Sequence, residues 1–247
     1  MAKLERRVME SGDVVKKTIL IIADISGYTK FMISNNRTLM HSQVIITELI
    51  NTIIKQIEIP LEISKLEGDA IFFYAVKKED ESEWESVKKE IGRKLISFFT
   101  AFSEKVVELS ESNICDCNAC NHVSKLKLKA VVHYGEALLH RIGKFFELSG
   151  VDVIIVHRLL KNSVNSDQYI LMTEPAYDEI EFPEKLEIKR GEEKYEEIGT
   201  LKTCLYLPPG EKEYYEEIKA QHSFSSFFIK MKNAMIKMYR ALLIQMG

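Results

Sequence analysis

Two aspartates lie where apolar segments of the chain end, and carboxylates in such positions can bind a metal ion. Asp24 follows the β-branched apolar segment 18–23, and Asp69 lies in a short connection between two further apolar segments. If these segments are neighbouring strands, both carboxylates lie at one edge of a sheet. A divalent cation would neutralise such a pair, and hard oxygen ligands suit Mg²⁺ or Mn²⁺. The alternative is that Asp24 caps a helix and Asp69 is an ordinary turn residue.

A second group of candidate ligands lies in a short segment that holds three of the four cysteines. Its members are Cys115, Cys117, Cys120 and His122. Thiolates and an imidazole at this spacing can close a tetrahedral Zn²⁺ site, and four protein ligands would make the zinc structural. A cluster of surface thiols is the alternative. Cys204, in an apolar segment, is predicted to be a buried small hydrophobic residue.

The histidines outside this segment give weaker signals. His133 is predicted at the end of a strand, where it is either a general base or an interior histidine satisfied by backbone groups, and the pattern favours the interior role. His41, His140 and His157 belong to no pattern that predicts a function.

Hydrophobic periodicity predicts the elements that position these residues. The predicted strands of the first half are residues 18–23, 61–66 and 70–76. The last two form a hairpin with Asp69 at its tip, and a helix begins near Leu39 and ends before Pro60. The charged segment 77–85 is predicted to be a solvated loop, followed by a helix up to the cysteine cluster.

The second half of the chain has the same mixed character. Its predicted strands include residues 126–132, 169–173, 186–189 and 201–207. With a helix at 151–162, this order predicts an α+β fold with a mixed, largely antiparallel sheet and flanking helices. We predict an N-terminal extension at 1–17, a domain at 18–209 with a cysteine-rich loop at 113–122, and a helical tail at 210–247.

Length and composition exclude several classes of protein. The 247 residues are 46% apolar and include only 11 Gly and 5 Pro, which is typical of a globular protein that needs no disulfides. A formal net charge of -3 provides no basic surface for nucleic acid, so we expect none as a partner. Because no signal peptide and no apolar run of roughly 18 residues is present, we predict a cytoplasmic protein without a transmembrane segment.

Four motifs resemble those of the class III nucleotidyl cyclases. Residues 23–29 (ADISGYT) are similar to the first metal-binding segment of that family, and residues 65–69 (KLEGD) are similar to the second. Residues 133–136 (HYGE) resemble a strand-ending motif, and residues 150–159 resemble the start of a helix. The resemblance covers about residues 18–207, and it indicates a divergent bacterial branch of the superfamily.

The resemblance implies a ferredoxin-like core, a homodimer with sites at its interface, and a purine nucleoside triphosphate as ligand. Asp24 and Asp69 would then hold the cations, with the carbonyl of Ile25 nearby. The other matching residues are Ser26, Gly27, Tyr28 and Thr29 for the phosphates, Lys65 and Glu147 for the purine, and Arg158 for the charge of the transition state. A lysine donor with an acidic acceptor suits adenine, so ATP is the expected nucleotide.

Two departures from the family pattern leave two functions open. The ribose-orienting asparagine of the family falls on Ile154, which offers no hydrogen bond, and its triphosphate-binding lysine falls in the acidic segment of Glu196 and Glu197. Loss of one such group costs on the order of 10² to 10³ in rate. The first hypothesis is a cyclase that converts ATP to cyclic AMP. The second is a catalytically degenerate nucleotide-binding sensor or dimerisation module in signalling.

The tail carries apolar residues at helical spacing between positions 224 and 242, with lysine and arginine around them. This pattern predicts an amphipathic helix that packs on its own domain or on a second copy. A peripheral contact with an anionic membrane is the alternative.

Overall fold

The computed structural model describes residues 14–57, 60–111 and 117–209. Its elements in chain order are β1 (Val14–Ser26), α1 (Tyr28–Ser34), α2 (Leu39–Gln56), β2 (Glu62–Glu67), β3 (Ala70–Val76), α3 (Glu81–Glu111), the single turn α4 (Asn118–Asn121), β4 (Lys127–Ile142), β5 (Phe145–Ser149), α5 (Val151–Leu159), β6 (Tyr169–Thr173), α6 (Glu174–Glu179), β7 (Ile188–Tyr195) and β8 (Gly199–Tyr206). The predicted tail helix lies outside the described residues. Within the described part of the chain, no helix has the length and apolar character needed to cross a membrane.

The strands form one sheet in the order β2-β3-β1-β4-β6-β8-β7, and β5 pairs with the second half of β4. Every pairing is antiparallel except that of β4 with β6. The predicted α+β fold with a mixed, largely antiparallel sheet and flanking helices is confirmed. β1 lies in the centre, between β3 and β4, so its C-terminal end is where the predicted metal-binding segments can meet.

Each face of the sheet carries a hydrophobic core, because both faces of β1 are apolar. Ile19 and Ile21 pack with residues of α2 and α3 on one face, whereas Leu20 and Ile22 pack with residues of α5 on the other. This is the environment that an uninterrupted apolar strand requires. Side chains alternate along a strand, so Asp24 lies on the same face as Ile22, the face that carries α5.

Several predicted boundaries differ from the structure, and the strand predicted at 186–189 corresponds to β7, which continues to Tyr195. β1 begins at Val14, before the predicted start at Thr18, and β4 continues to Ile142 instead of ending near Val132. The loop predicted for 77–85 is wrong from Glu81 onward, where α3 begins. The reason is a cap: the Asp80 carboxylate accepts hydrogen bonds from the Glu83 N–H at 2.8 Å and from the Ser82 hydroxyl at 2.6 Å.

Candidate functional site

The structure places Asp24 and Asp69 together at the end of β1. Asp24 is opposite Ala70 in the antiparallel pairing of β1 with β3, and the N–H of Ile25 donates to the carbonyl of Asp69 at 3.3 Å. The backbone bond holds the β2–β3 turn against the end of β1. As a result, Asp24 lies near enough to Asp69 for its charge to act on the pKa of the Asp69 carboxyl group.

A lysine on the neighbouring strand completes this cluster. Lys129 is opposite Asp24 in the pairing of β1 with β4, and its Nζ lies 2.8 Å from Asp24 Oδ2. Both side chains are largely buried. Burial lowers the pKa of Lys129, but the hydrogen bond and the charge of Asp24 outweigh it and raise that pKa overall. Lys129 therefore stays cationic and balances one carboxylate.

The negative charge of Asp69, the second carboxylate, is less well compensated, because Lys129 lowers its pKa by less than burial and Asp24 raise it. Burial, and after it the charge of Asp24, raise the pKa of Asp69 to about 7. The raised pKa means that the ionised form of this carboxyl group is poorly stabilised by the surrounding protein. A divalent cation would supply the missing positive charge, and two carboxylates beside a backbone carbonyl are the oxygen ligands that Mg²⁺ and Mn²⁺ accept. The residues present thus fit such a cation.

The turn after β1 begins α1 and forms one wall of a cavity. Gly27 has a positive φ of 85°, which favours glycine, and a Cβ there would lie 3.3 Å from the carbonyl oxygen of Lys125. The N–H of Phe31 donates to the Gly27 carbonyl at 2.9 Å and starts a seven-residue helix. The phosphate contacts predicted for residues 26–29 stay a prediction.

A separate cleft brings together residues predicted for the purine and the transition state. Its volume is about 450 Å³, and its lining includes Lys65 from β2 together with Ile154 and Arg158 from α5. Neither Asp24 nor Asp69 lines this cleft. Within one chain the two halves of the predicted site are therefore distinct groups of residues.

Two cationic side chains of this cleft, Lys65 and Arg158, have carboxylate neighbours. Lys65 Nζ lies 2.9 Å from Glu67 Oε1, and the other oxygen of Glu67 lies 3.7 Å from His157 Nδ1. Arg158 Nη2 lies 3.4 Å from Glu197 Oε2, so the acidic segment between β7 and β8 reaches the predicted transition-state arginine. A nucleotide in this cleft would have to compete with these ion pairs.

Glu147, the second predicted purine contact, lies on β5 opposite His140. β5 passes close to β2, the strand that carries Lys65, but Glu147 does not line the cleft. The structure therefore places Glu147 near the element of its predicted partner and outside the cavity itself.

The cysteine cluster has a different histidine from the one predicted. Cys117 and Cys120 lie beside His41 of α2, and Cys115 lies outside the described residues. Nδ1 of His122 instead lies 2.7 Å from the carbonyl oxygen of Asn118, and His122 is not part of the group formed by the other three. The zinc itself stays a prediction.

His133 is an interior histidine whose partners are side chains, not the backbone groups expected. Its Nε2 lies 2.8 Å from Asp152 Oδ1, and its Nδ1 lies 2.8 Å from the Thr173 hydroxyl. Since the carboxylate can only accept, the neutral ring carries its proton on Nε2 and Nδ1 accepts from Thr173. Asp152 also accepts the N–H of Glu136 at 2.6 Å. These bonds connect β4, α5 and β6.

Three residues that shape these groups were not singled out from the sequence. Lys129 belongs to a segment of alternating polar and apolar residues, a pattern typical of the solvent-facing side of a strand. His41 is separated by 76 residues from Cys117, whose thiol it approaches. Asp152 stands in the first turn of α5, where an acidic residue is ordinary. Only strand register or tertiary contact reveals the role of each.

Comparison with solved structures defines the class of fold as that of the class III nucleotidyl cyclases. An adenylyl cyclase, CyaB from P. aeruginosa, superposes with a TM-score of 0.59 at 13% identity and covers 81% of this chain and 97% of that chain. The guanylyl cyclase Cya2 gives a TM-score of 0.57 at 11% identity over 81% of this chain and 96% of its own. A class III adenylyl cyclase-like ATP-binding protein from Pseudomonas aeruginosa gives 0.52 at 16% identity over 68% of this chain and 36% of that one.

The chain belongs to the family described as "Protein of unknown function (DUF2652)", whose model matches residues 46–169. It is also 32% identical over 114 residues to the uncharacterized protein Rv2561/Rv2562 of Mycobacterium tuberculosis, a match that covers 46% of this chain and 50% of the relative. The chain thus spans about half the length of that relative. The predicted resemblance to the cyclase superfamily is confirmed at the level of the fold.

Proposed function

We propose that this protein is a cyclase-like protein that binds a purine nucleoside triphosphate together with Mg²⁺ or Mn²⁺. The observation that supports this proposal most directly is the proximity of Asp24 and Asp69 beside a single lysine, Lys129, whose ammonium group is bonded to Asp24. An ordinary solvated turn aspartate would not be partly buried beside a second carboxylate. When bound there, the cation would neutralise the phosphates of the nucleotide.

The nucleotide would be shared between two copies of the chain. Lys65 and Arg158 line a cleft that does not contain Asp24 or Asp69. This separation supports an arrangement in which a second protomer brings the two groups together around one nucleotide. In this arrangement Lys65 contacts the purine and Arg158 lies near the phosphates. The homodimer, the nucleotide and its base preference for adenine are all parts of the proposal.

Binding without turnover is the function that the cleft favours. Ile154 presents an apolar side chain, and Arg158 already has Glu197 as an ion-pair partner. The protein would then act as a nucleotide sensor. Conversion of ATP to cyclic AMP and pyrophosphate is the second candidate, because the aspartate pair and Arg158 are both present. In that reaction the ribose 3′-oxygen attacks the α-phosphorus, and Arg158 would stabilise the negative charge that develops.

Calorimetric titration of the protein with ATP tests the proposal. We expect binding in the presence of Mn²⁺ that is lost with a chelator. We expect Asp24→Asn and Asp69→Asn to weaken it by more than about tenfold, since even loss of a group behind a metal ligand costs about 10- to 100-fold in metal affinity. Asp178→Asn, an exposed aspartate of α6, is the control and should bind normally.

Binding that is equally tight in the chelator, or unchanged in both aspartate variants, would contradict the proposal. The same samples decide between the two candidates when they are assayed for cyclic nucleotide. Product from the wild-type protein and none from Asp24→Asn would establish the enzyme, whereas metal-dependent binding without product would establish the sensor.

A further inference from the structure

Three potential metal ligands from two distant parts of the chain converge beside α2. His41 Nδ1 lies 3.4 Å from Cys117 Sγ. One ligand atom from each of His41, Cys117 and Cys120 lies within 4.8 Å of the others. His41 is exposed and both cysteines are partly buried, so the group lies at the surface with its thiols turned toward the protein.

The spacing is close to that of a tetrahedral metal site. Zinc with Zn–S distances of about 2.3 Å and Zn–N distances of about 2.0–2.1 Å holds neighbouring ligand atoms about 3.6–3.8 Å apart. The observed separations bracket these values, so a cation needs shifts of about 1 Å or less from the side chains. An N–H···S hydrogen bond explains the contact of His41 with Cys117, but it does not explain why the second thiol joins the group.

We propose that His41, Cys117 and Cys120 bind one zinc ion that fastens the start of α2 to the cysteine turn. Two thiolates and an imidazole are soft or borderline ligands, which select zinc over Mg²⁺ or Ca²⁺. The group contains no carboxylate. Water or a further ligand completes the fourth position. This site is independent of the aspartate pair and of the proposed nucleotide.

The surrounding bonds place the cysteine turn where the metal is needed. The side-chain amide nitrogen (Nδ2) of Asn118 donates to Asn35 Oδ1 at 2.7 Å and to the Ser34 carbonyl at 3.2 Å. These bonds hold the turn to the end of α1. The N–H of Asn121 donates to the carbonyl of Cys117 at 3.2 Å, which closes the turn and brings the two cysteines together. Zinc would add the connection to α2 that these bonds do not make.

The site also lies beside one wall of a cavity next to the turn after β1. This cavity measures about 610 Å³ and is lined by Gly27 and Phe31 on one side and by His122, Lys125 and Leu126 on the other. The residues of the second wall follow Cys120 directly in the chain. A zinc ion at Cys117 and Cys120 would therefore fix the position of that wall relative to α1 and α2.

Metal analysis of the full-length protein, purified under reducing conditions, tests the site. We expect about one zinc per chain, and on replacement by Co²⁺ we expect the visible bands of a tetrahedral site and a thiolate-to-cobalt charge-transfer band. His41→Ala, Cys117→Ser and Cys120→Ser should each weaken zinc binding by at least about 10- to 100-fold. His122→Ala and Cys204→Ser are matched controls and should keep the zinc, because neither residue belongs to the group.

A rescue variant keeps the test decisive if His41→Ala fails to fold. In His41→Cys a third thiolate replaces the imidazole, so the cobalt charge-transfer band should grow in proportion to the number of thiolates. A normal zinc content in His41→Ala together with a loss in His122→Ala would overturn the proposal. A metal-free wild-type protein, with its cysteines reduced or joined in a Cys117–Cys120 disulfide, would overturn it as well.

Discussion

At the scale of single residues, the cluster of Asp24, Asp69 and Lys129 shows how burial turns ordinary side chains into a possible site. Each aspartate taken alone fits a cap or a turn. Together they share one lysine, which is bonded to Asp24, and burial and the charge of Asp24 raise the pKa of Asp69. A divalent cation beside Asp69 would oppose this shift by stabilising the ionised carboxylate. Lys129 limits the site in turn, because any cation at Asp24 must compete with an ammonium group at 2.8 Å.

His133 gives a pH dependence that can be measured. Burial lowers its pKa from the ordinary 6.5, although Asp152 acts in the opposite direction. Below pH 6.5 the unfolded chain takes up a proton that the folded chain excludes, so the free energy of unfolding should fall as the pH decreases through this range. Above it the ring is neutral in both states and contributes no pH dependence.

The variant His133→Gln isolates this effect, because glutamine keeps a donor and an acceptor but does not titrate. We expect a lower overall stability and a smaller decrease in the free energy of unfolding between about pH 7.5 and 5.5, measured by urea denaturation. Asp69 titrates in both proteins, so its contribution cancels in the comparison. Parallel curves for the two proteins would show that His133 does not titrate as described.

The candidate residues that were predictable from the sequence share a local signature. Asp24 and Asp69 stand at the abrupt ends of apolar segments, and the hairpin pattern alone placed Asp69 at a tip. Lys129 and His41 have no such signature, since the first depends on the register of β1 with β4 and the second on how α2 packs. His122 was the natural choice for the metal because it is near Cys120 in the sequence, yet its ring lies against Asn118.

At the scale of elements, the packing of α5 on β4 depends on a glycine. A Cβ added to Gly135 would lie 2.2 Å from Cγ and 2.7 Å from Cβ of Asp152. Asp152 cannot move aside freely, because its carboxylate is bound by His133 and by the N–H of Glu136. The close approach of strand and helix therefore requires the missing side chain.

Gly135→Ala should lower the free energy of unfolding by about 1–3 kcal/mol, the usual cost of overpacking, as measured by urea denaturation. Gly191→Ala in β7 is the control. Its added Cβ meets nothing closer than the Thr203 hydroxyl at 3.5 Å, an ordinary contact, so the change should stay within about 0.5 kcal/mol. Equal stabilities of the two variants would mean that Asp152 does not constrain this position.

The fold was more predictable than its boundaries, and the start of α3 shows why. A run of charged residues usually indicates a solvated loop, and on this basis the N-cap at Asp80 was not predicted. Asp80 is followed three residues later by Glu83, which is the spacing of a capping box at the start of a helix. The full length of β4 was also not predictable from the sequence pattern. After His133 most residues of the strand, Ala137 excepted, are partly or fully exposed, and hydrophobic patterning is weak there. Strands buried on both faces, such as β1 and β3, were found because their apolar runs are continuous.

At the scale of the whole molecule, exposed apolar residues are concentrated on the elements near the cleft that is lined by Lys65 and Arg158, and we call this region the apolar surface. The start of β1 pairs with the end of β4, which pairs with β5, and α5 follows directly. The exposed apolar residues of these elements are Val14, Val15, Ile142, Phe145, Phe146, Val151 and Ile154. Ile154 also lines the cleft, so the apolar surface and the cleft share this residue. Apolar surfaces of this kind mark sites of protein association.

We expect this surface to be the dimer interface, and Phe145→Glu to disrupt it, because a buried unpaired carboxylate opposes association. Sedimentation velocity should show a dimer for the wild-type protein and a monomer for the variant. Ile33→Glu is the control: Ile33 of α1 is 70% exposed, similar to Phe145 at 61%, but lies on a different element, so the dimer should persist.

If the nucleotide is bound between protomers, Phe145→Glu should also lose ATP binding while it keeps its zinc, since His41, Cys117 and Cys120 belong to one chain. A monomeric variant that binds ATP normally would place the whole nucleotide site within a single copy.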